Sequence, residues 1–393
     1  MPGAPLIAIR VALAGGARGE PAPGVALITG RGLAEGSRRR DYRALAESAE
    51  RRGLSANAFG AFEWIGVAVD GLASAWEEAL ELAAELALEP AFPRARVRLL
   101  ARQAAGELEA EADDGATVAG RAFARRLYGD HPKGRPLQGD VASLARIDPA
   151  DCARFHAASL AAGGCVAVAG TIDEEAVRSR VERLFAGLPV PRVASSPVAP
   201  PAASAGRVEV TTRARDQAHL YVGQLSVARA HPDCAALEIA AVALGAGAGL
   251  SGRVPNRVRD RDGLAYDASA DAIAGAGLDA GRIVAYAGTS PATLARAERA
   301  ILEELRRLRD EGLADAEIEE ARSYLAGREP FRRESARQWA DLAAAGAIEG
   351  LPFEDEEWSR RRIVEPTAAE VRGALGRHLD PDRLAVAVGR PGR

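Results

Sequence analysis

Residues 245–266 read GAGAGLSGRVPNRVRDRDGLAY, and they join a long apolar run at 235–244 to the start of a strand. The glycines let the backbone bend where a side chain would clash. Arg259 and Tyr266 then project a permanent cation and a phenol from either side of a tight turn at Asp262-Gly263. A guanidinium and a phenol O–H suit a carbonyl oxygen that gains negative charge during a reaction. The structural alternative is a solvated basic helix end followed by a core tyrosine.

This stretch resembles a segment in the C-terminal half of M16 family peptidases, the family of pitrilysin and the mitochondrial processing peptidase. Within that family it resembles the M16B subgroup. In that family an Arg and a Tyr seven positions apart precede and open a strand, and here those positions fall on Arg259 and Tyr266. The resemblance implies that these two side chains hold the carbonyl group of a peptide substrate and stabilise the oxyanion that forms during hydrolysis.

The segment 24–36, GVALITGRGLAEG, is apolar at helical spacing and predicts a buried helix. In the M16 family this helix carries the inverted zinc motif His-x-x-Glu-His just before a Gly-Thr or Gly-Ser turn. When residues 24–36 are aligned with the family's motif helix on the turn at Gly36-Ser37, Leu27 and Arg31 occupy the two histidine positions, and Gly30 occupies the glutamate position. All three motif residues are therefore absent.

The third zinc ligand of catalytic family members is a glutamate that lies before an Asp-Asp turn. The turn at residues 113–115 matches that pattern and places the position on Glu107. Zinc hydrolysis needs imidazoles to hold the metal, an open position for water and a carboxylate to take the proton. Because Leu, Gly and Arg supply none of these, we expect no metal and no other cofactor in this chain, and Glu107 is expected to be solvated or paired with an arginine.

The five histidines offer no pair at the four-residue spacing of a two-histidine helix site: His131, His156, His219, His231 and His378. Two alternatives stay open. One is a zinc site assembled from residues that are far apart in the sequence, and the other is an independent peptidase that uses different residues.

The composition limits the class of protein. The chain has 393 residues, 48% of them hydrophobic, which is enough material for two or more domains. The net charge is −4 and Lys133 is the only lysine, so no basic tract indicates a nucleic-acid partner. Three cysteines without CxxC spacing predict neither a disulfide framework nor a cysteine zinc site. No apolar run is long enough to span a membrane and no signal peptide is visible, so we expect a soluble protein of a bacterial cytoplasm or periplasm.

A proline-rich segment divides the chain. Residues 189–206 contain five prolines and no hydrophobic period, which is typical of a linker. The predicted domains are an N-terminal M16-like domain at 1–188 with a degenerate zinc motif and a C-terminal M16-like domain at 207–393 with the Arg/Tyr pair. The two halves also repeat each other weakly, because CVAVAG at 165–170 compares with LAVAVG at 384–389, and Gly-Leu opens a hairpin in each half.

The predicted fold class is α+β, with two homologous domains, each a mostly antiparallel sheet with helices packed on one side. The resemblance implies the duplicated LuxS/MPP-like metallohydrolase fold. Ser74 and Glu77 have the spacing of a capping box before a helix that runs to Leu88. M16 chains usually begin with one more strand than is present before Leu6, so we expect either a trimmed chain or a first sheet with a shortened edge.

Taken with the resemblance, these residues predict the zinc-less subunit of a heterodimeric M16-like metallopeptidase. A zinc-bearing M16 homologue would hold the metal, this chain would supply Arg259 and Tyr266, and the substrate would be an extended peptide. The chain alone is expected to be inactive. The alternative is a non-catalytic scaffold or peptide-binding protein, and self-association in place of a heterodimer also stays open.

Overall fold

A computed structural model of the protein describes residues 5–192, 205–213, 216–247, 252–353 and 355–392. The chain divides into two units. Unit 1 comprises residues 1–108, 136–197 and 331–354, and unit 2 comprises residues 109–135, 198–330 and 355–393. Segments 109–135 and 331–354 thus belong to the unit built mainly from the other half of the chain, which differs from the domain boundaries predicted from the sequence. Of the predicted linker, residues 193–204 lie outside the described residues.

Nine strands and fifteen helices make up the described part of the chain. The strands are β1 (Leu6–Ala14), β2 (Ser55–Gly60), β3 (Trp64–Leu72), β4 (Gly164–Gly170), β5 (Gly206–Thr212), β6 (Ala218–Leu225), β7 (Ala265–Ala274), β8 (Arg282–Thr289) and β9 (Ala385–Pro391). The helices are α1 (Val25–Gly32), α2 (Tyr42–Arg51), α3 (Trp76–Leu88), α4 (Arg94–Glu111), α5 (Gly115–Tyr128), α6 (Val141–Leu144), α7 (Pro149–Ala162), α8 (Glu174–Leu184), α9 (Cys234–Ala241), α10 (Arg253–Pro255), α11 (Leu294–Glu311), α12 (Asp315–Arg328), α13 (Ala336–Glu349), α14 (Glu356–Val364) and α15 (Ala368–His378). Wide π-type turns cover Val242–Ala246 and Asn256–Arg261.

Unit 1 contains a four-stranded antiparallel sheet in the order β2-β3-β1-β4. Side chains alternate between the two faces of a strand, so Ile7, Ile9, Val11 and Leu13 of β1 all point to one face. These four residues are buried in one hydrophobic core with α1, α3 and α7. This face holds the main layer of helices.

The opposite face of the same sheet is covered in part by α13. The β1 and β4 residues on this face include Ala8, Ala12 and Ala167, whose small side chains let the helix approach closely. Arg10 shares this face and is almost fully buried, and it forms ion pairs with Asp70 of β3 and Asp341 of α13. The main helix layer on one side agrees with the sequence prediction, whereas the single helix on the other side is an addition to it.

Unit 2 contains a five-stranded sheet in the order β5-β9-β6-β8-β7, antiparallel except for the β5–β9 pair. Leu220, Val222 and Ile283 pack with α9, α11 and α15 in its core. On the opposite face α5 packs over β5, β9 and β6, where the ring of Phe123 stacks on Tyr221 with centroids 5.8 Å apart. This unit therefore repeats the plan of unit 1, including one helix on the second face.

The two sheets share one pairing scheme. β1 lies between β3 and β4 as β6 lies between β8 and β9, and β2 and β7 are the corresponding outer strands. Gly53 and Gly263, which precede the corresponding hairpins, have left-handed φ values of 63° and 58°. Only β5 has no counterpart in the described part of unit 1. The predicted α+β class with two similar antiparallel domains is confirmed.

No helix among the described residues is both long enough and apolar enough to cross a membrane.

Candidate functional site

The helix that corresponds to the zinc-motif helix, α1, lies in direct backbone contact with the outer strand β2. A Cβ atom added to Gly30 would lie 2.3 Å from the carbonyl oxygen of Phe59, and one added to Gly60 would lie 2.6 Å from the carbonyl oxygen of Ala26. Real Cβ atoms essentially never approach backbone atoms this closely, so neither glycine can be replaced without moving the helix or the strand. Gly60 is a residue that the sequence analysis missed, because only the tertiary contact reveals its role.

The two other motif positions are also occupied in ways that exclude a metal. Leu27 is buried in the core of unit 1. Arg31 points to Glu107, and its Nη1 and Nη2 donate to the two carboxylate oxygens at 2.8 and 3.0 Å. Both side chains are partly exposed beside an open groove along β2. The sequence prediction that Glu107 pairs with an arginine or is solvated agrees with this bidentate ion pair.

These residues do not fit a zinc ion. A guanidinium lies on the one remaining carboxylate, no imidazole is present at either histidine position, and a glutamate at position 30 has no space for its Cβ. The positive charge that zinc supplies in other proteins is carried at this place by a side chain that has no open coordination position. No step of a zinc reaction can therefore be assigned to this part of unit 1.

The segment that carries Arg259 begins at a tight bend and is anchored in the core of unit 2. Gly245 and Gly252 both have positive φ, and a Cβ on Gly252 would lie 2.6 Å from the backbone of Gly245. This is the bend predicted from the glycines, although residues 248–251 lie outside the described part of the chain. Val254 and Val258 are fully buried. Their burial fixes one face of the turn and leaves its other face outward.

Ion pairs hold the same segment at both ends. Arg253 donates to both carboxylate oxygens of Glu317 at 2.6 and 2.8 Å, and this bond raises the pKa of the arginine and lowers the pKa of Glu317. Arg257 donates to both carboxylate oxygens of Asp262 at 2.7 and 2.6 Å. The backbone N–H of Leu264 donates to the carbonyl oxygen of Val258 at 2.8 Å. The turn is therefore closed before β7 begins.

Arg259 and Tyr266 lie on either side of this closed turn. Arg259 is half-buried, and its Nε donates to Asp260 at 2.9 Å, which leaves both terminal nitrogens without a protein partner among the described residues. Tyr266 is 88% exposed and is the second residue of the outer strand β7, at a bulge between Ala265 and Asp267. Within the described part of the chain its hydroxyl has no hydrogen-bond partner, and neither side chain bonds to the other. The alternative of a core tyrosine is wrong.

Three of the five histidines have structural roles in the core. His131 accepts the backbone N–H of Lys133, as a loop residue before a proline can. Nε2 of His156 lies 2.7 Å from the carbonyl oxygen of Ala87, and burial lowers the pKa of this imidazole. Nδ1 of His219 lies 3.1 Å from the hydroxyl of Tyr286, and burial lowers its pKa too. Buried imidazoles of this kind serve packing and hydrogen bonding.

Comparisons with known proteins agree with these features. Residues 149–325 match the family model described as the peptidase M16 inactive domain. An uncharacterized zinc protease of Mycobacterium leprae is 29% identical over 353 residues, which cover 88% of this chain and 77% of the relative. An uncharacterized zinc protease of Streptomyces coelicolor is 32% identical over 214 residues, which cover 52% of this chain and 45% of the relative.

A solved structure shows the same likeness over the whole chain. The crystal structure of the peptidase M16 inactive domain from Pseudomonas fluorescens superposes with a TM-score of 0.90 at 25% sequence identity, covering 100% of this chain and 94% of that one. The resemblance drawn from the sequence is confirmed at the level of the family, and the M16B subgroup stays a prediction. The fold and the matched residues together make this chain similar to the peptidase M16 family, and residues 149–325 match the family's inactive domain.

Proposed function

We propose that this chain is the zinc-less subunit of a heterodimeric M16 metallopeptidase. A zinc-bearing M16 homologue holds the metal and activates the water, and this chain supplies Arg259 and Tyr266 to the substrate. The observation that carries the proposal is the state of those two groups. Among the described residues, a guanidinium whose two terminal nitrogens have no protein partner and a highly exposed phenol without a hydrogen-bond partner flank one turn that ion pairs hold.

Donors of this kind have a defined use in peptide hydrolysis. When water adds to a peptide carbonyl, the oxygen becomes an oxyanion, and fixed hydrogen-bond donors stabilise that charge more than they stabilise the ground state. The guanidinium keeps its charge at every working pH and offers paired N–H donors, while the phenol contributes one directional O–H. The ion pairs of Arg253 and Arg257 keep the turn in one geometry, so the donors need little reorganisation.

The sheet edges suit an extended peptide. β7, which carries Tyr266, is an outer strand of unit 2, and β2 is an outer strand of unit 1 with a groove beside it. An outer strand offers unpaired backbone N–H and C=O groups, to which an extended peptide adds as a further strand. Backbone pairing of this type tolerates many side chains, which fits a peptide substrate without a single fixed sequence.

Mixing tests the proposal. The pure chain should cleave an unfolded fluorogenic peptide no faster than buffer, because its α1 site does not fit zinc. Addition of a zinc-bearing M16 homologue from the same organism should form a one-to-one complex and restore hydrolysis that a chelator abolishes. The homologue alone should be much slower than the mixture.

Two results would contradict the proposal. One is full hydrolysis by the zinc-bearing homologue without this chain. The other is a stable complex that binds peptide but never cleaves it, which would favour the alternative of a scaffold or peptide-binding subunit. Size-exclusion chromatography with light scattering also separates heterodimer formation from self-association.

A further inference from the structure

Unit 2 contains a cluster of metal-ligand side chains that the proposed function does not use. Asp233 lies directly before α9, His231 lies two residues earlier, and His378 is the last residue of α15. Nε2 of His378 lies 2.8 Å from Oδ2 of Asp233, and the rings of His231 and His378 meet edge to face with centroids 5.2 Å apart. One potential ligand atom from each residue lies within 4.8 Å of the other two.

We propose that His231, Asp233 and His378 form a binding site for a divalent transition-metal ion. Two imidazoles and one carboxylate are a donor set that suits Zn²⁺ and its neighbours Co²⁺ and Ni²⁺, whereas Mg²⁺ and Ca²⁺ take oxygen ligands. Three protein ligands leave a fourth tetrahedral position for water. The site does not include Arg259 or Tyr266. The metal-binding proposal and the proposed peptidase role can therefore be tested, and can fail, separately.

The distances need only a small adjustment. Zinc bonds of about 2.0–2.1 Å in tetrahedral geometry place the ligand atoms roughly 3.3 Å apart, so the largest separation in the cluster must shrink by about 1.5 Å. His231 is exposed, and rotation of its side chain can supply this movement without changing the core. The pair His378 and Asp233 already lies within the required separation.

One nitrogen atom of each imidazole ring can become a metal ligand. The backbone N–H of Asp233 donates to Nδ1 of His231 at 3.1 Å, so that nitrogen carries a lone pair rather than a proton. A modest turn of the ring moves the same lone pair from the amide to an ion. Nε2 of His378 donates its proton to the Asp233 carboxylate, and a metal ion displaces such a proton when it binds between the two groups.

Arg377 supports the carboxylate from the outer side. Its Nε and Nη2 donate to the two oxygens of Asp233 at 3.0 and 2.8 Å. A carboxylate has about four lone-pair sites, so these two bonds leave others for a metal ion. The positive charge of Arg377 also repels a metal cation. Removal of that charge should therefore not weaken metal binding, which a variant can test.

A bound ion would tie the loop before α9 to the end of α15, two segments that are far apart in the sequence but both belong to unit 2. Because binding to the folded state alone stabilises it, the melting temperature should rise by about 3 °C or more at a free zinc concentration ten times the Kd. Mg²⁺ or Ca²⁺ at the same concentration should produce no rise.

The test uses the full-length, tag-free chain after treatment with a chelator. Competition against a chromophoric zinc chelator should give one equivalent of bound zinc, and Co²⁺ should give a visible absorption band from a nitrogen-ligated site. His231→Gln and His378→Gln should each weaken binding by about tenfold or more and remove the band. Arg377→Gln should still bind one equivalent of zinc, with no loss of affinity. Glu107→Gln, which changes the carboxylate paired with Arg31 in unit 1, should bind zinc as the wild type does.

The absence of zinc and Co²⁺ binding by the wild-type chain would overturn the proposal without reference to any variant. One equivalent of zinc that binds equally well to both histidine variants would overturn it too, because the ion would then lie elsewhere. A loss of binding in Arg377→Gln as large as in His378→Gln would likewise contradict it, since the arginine is assigned no bond to the metal.

Discussion

At the scale of single residues, Gly30 occupies the position that the sequence aligns with the glutamate of the zinc motif. Its missing side chain lets α1 lie against β2, and the contact with Phe59 and Gly60 leaves no space for a Cβ atom. A glutamate at this position of the present chain would have no space for its Cβ atom unless the helix or the strand moved. The backbone packing therefore leaves no space for a glutamate at position 30, in addition to the lack of metal-binding atoms at Leu27 and Arg31.

Substitution of Gly30 by alanine tests this packing. We expect Gly30→Ala to destabilise unit 1 by about 1–3 kcal/mol, because the added methyl group forces α1 away from β2. Gly106→Ala is the matched control, since Gly106 is also a helical glycine of unit 1 but has nothing within 4 Å of the added Cβ. The control should be neutral or stabilising by up to about 1 kcal/mol.

Urea unfolding followed by tryptophan fluorescence measures both changes, because three of the four tryptophans, Trp64, Trp76 and Trp339, lie in unit 1. Equal stability of Gly30→Ala and Gly106→Ala would show that the close contact is not as the structure has it.

Residues whose signal is a spacing along the chain could be proposed from the sequence. Arg259 and Tyr266 follow the spacing that the M16 resemblance implies, and the turn at Gly36-Ser37 aligns Leu27, Gly30 and Arg31 with the zinc motif; the roles of these residues stay predictions. By contrast, the Gly60 contact and the cluster around Asp233 depend on residues brought together by the fold. No pattern within one segment could reveal them.

At the scale of elements, α13 is the feature that the sequence did not assign to its place. Its residues follow the second hairpin in the chain, yet it packs on the alanine face of β1 and β4. A stripe of alanines on a strand predicts burial but not the identity of the covering helix. The predicted capping box also failed, because α3 begins at Trp76 after a 3-10 turn at Ala73–Ala75 and has no side-chain cap.

Arg10 connects α13 to the sheet, and its two carboxylate partners differ in burial. The side chain of Asp70 is 10% exposed, whereas that of Asp341 is 60% exposed. We expect Asp70→Asn to destabilise unit 1 by about 3 kcal/mol, because it leaves the buried guanidinium of Arg10 with the exposed Asp341 as its one remaining carboxylate among the described residues. Asp341→Asn should cost less than about 1 kcal/mol, as exposed ion pairs do.

The same urea experiment compares the two variants directly. If Asp341→Asn proved as destabilising as Asp70→Asn, burial would not explain the contribution of the Arg10–Asp70 pair to the stability of unit 1.

At the scale of the whole molecule, two sheets with one pairing scheme carry different chemistry. In unit 1 Arg31 pairs with Glu107, at two positions that the sequence aligns with zinc ligands, while unit 2 presents Arg259 and Tyr266 on a turn held by ion pairs. A metallopeptidase reaction uses a metal-bound water and donors that stabilise the oxyanion. Under the proposed function this chain supplies only the second set, so its activity is expected to depend on another chain.

The most direct test is the turnover number of a mixture of this chain with a zinc-bearing M16 homologue. Arg259→Ala and Tyr266→Phe should each lower kcat by about 100-fold, as loss of one oxyanion donor does, with little change in complex formation. Arg261→Ala, which removes an exposed arginine from the same turn, should stay within about twofold of the wild type. Unchanged kcat in both Arg259→Ala and Tyr266→Phe would contradict the account.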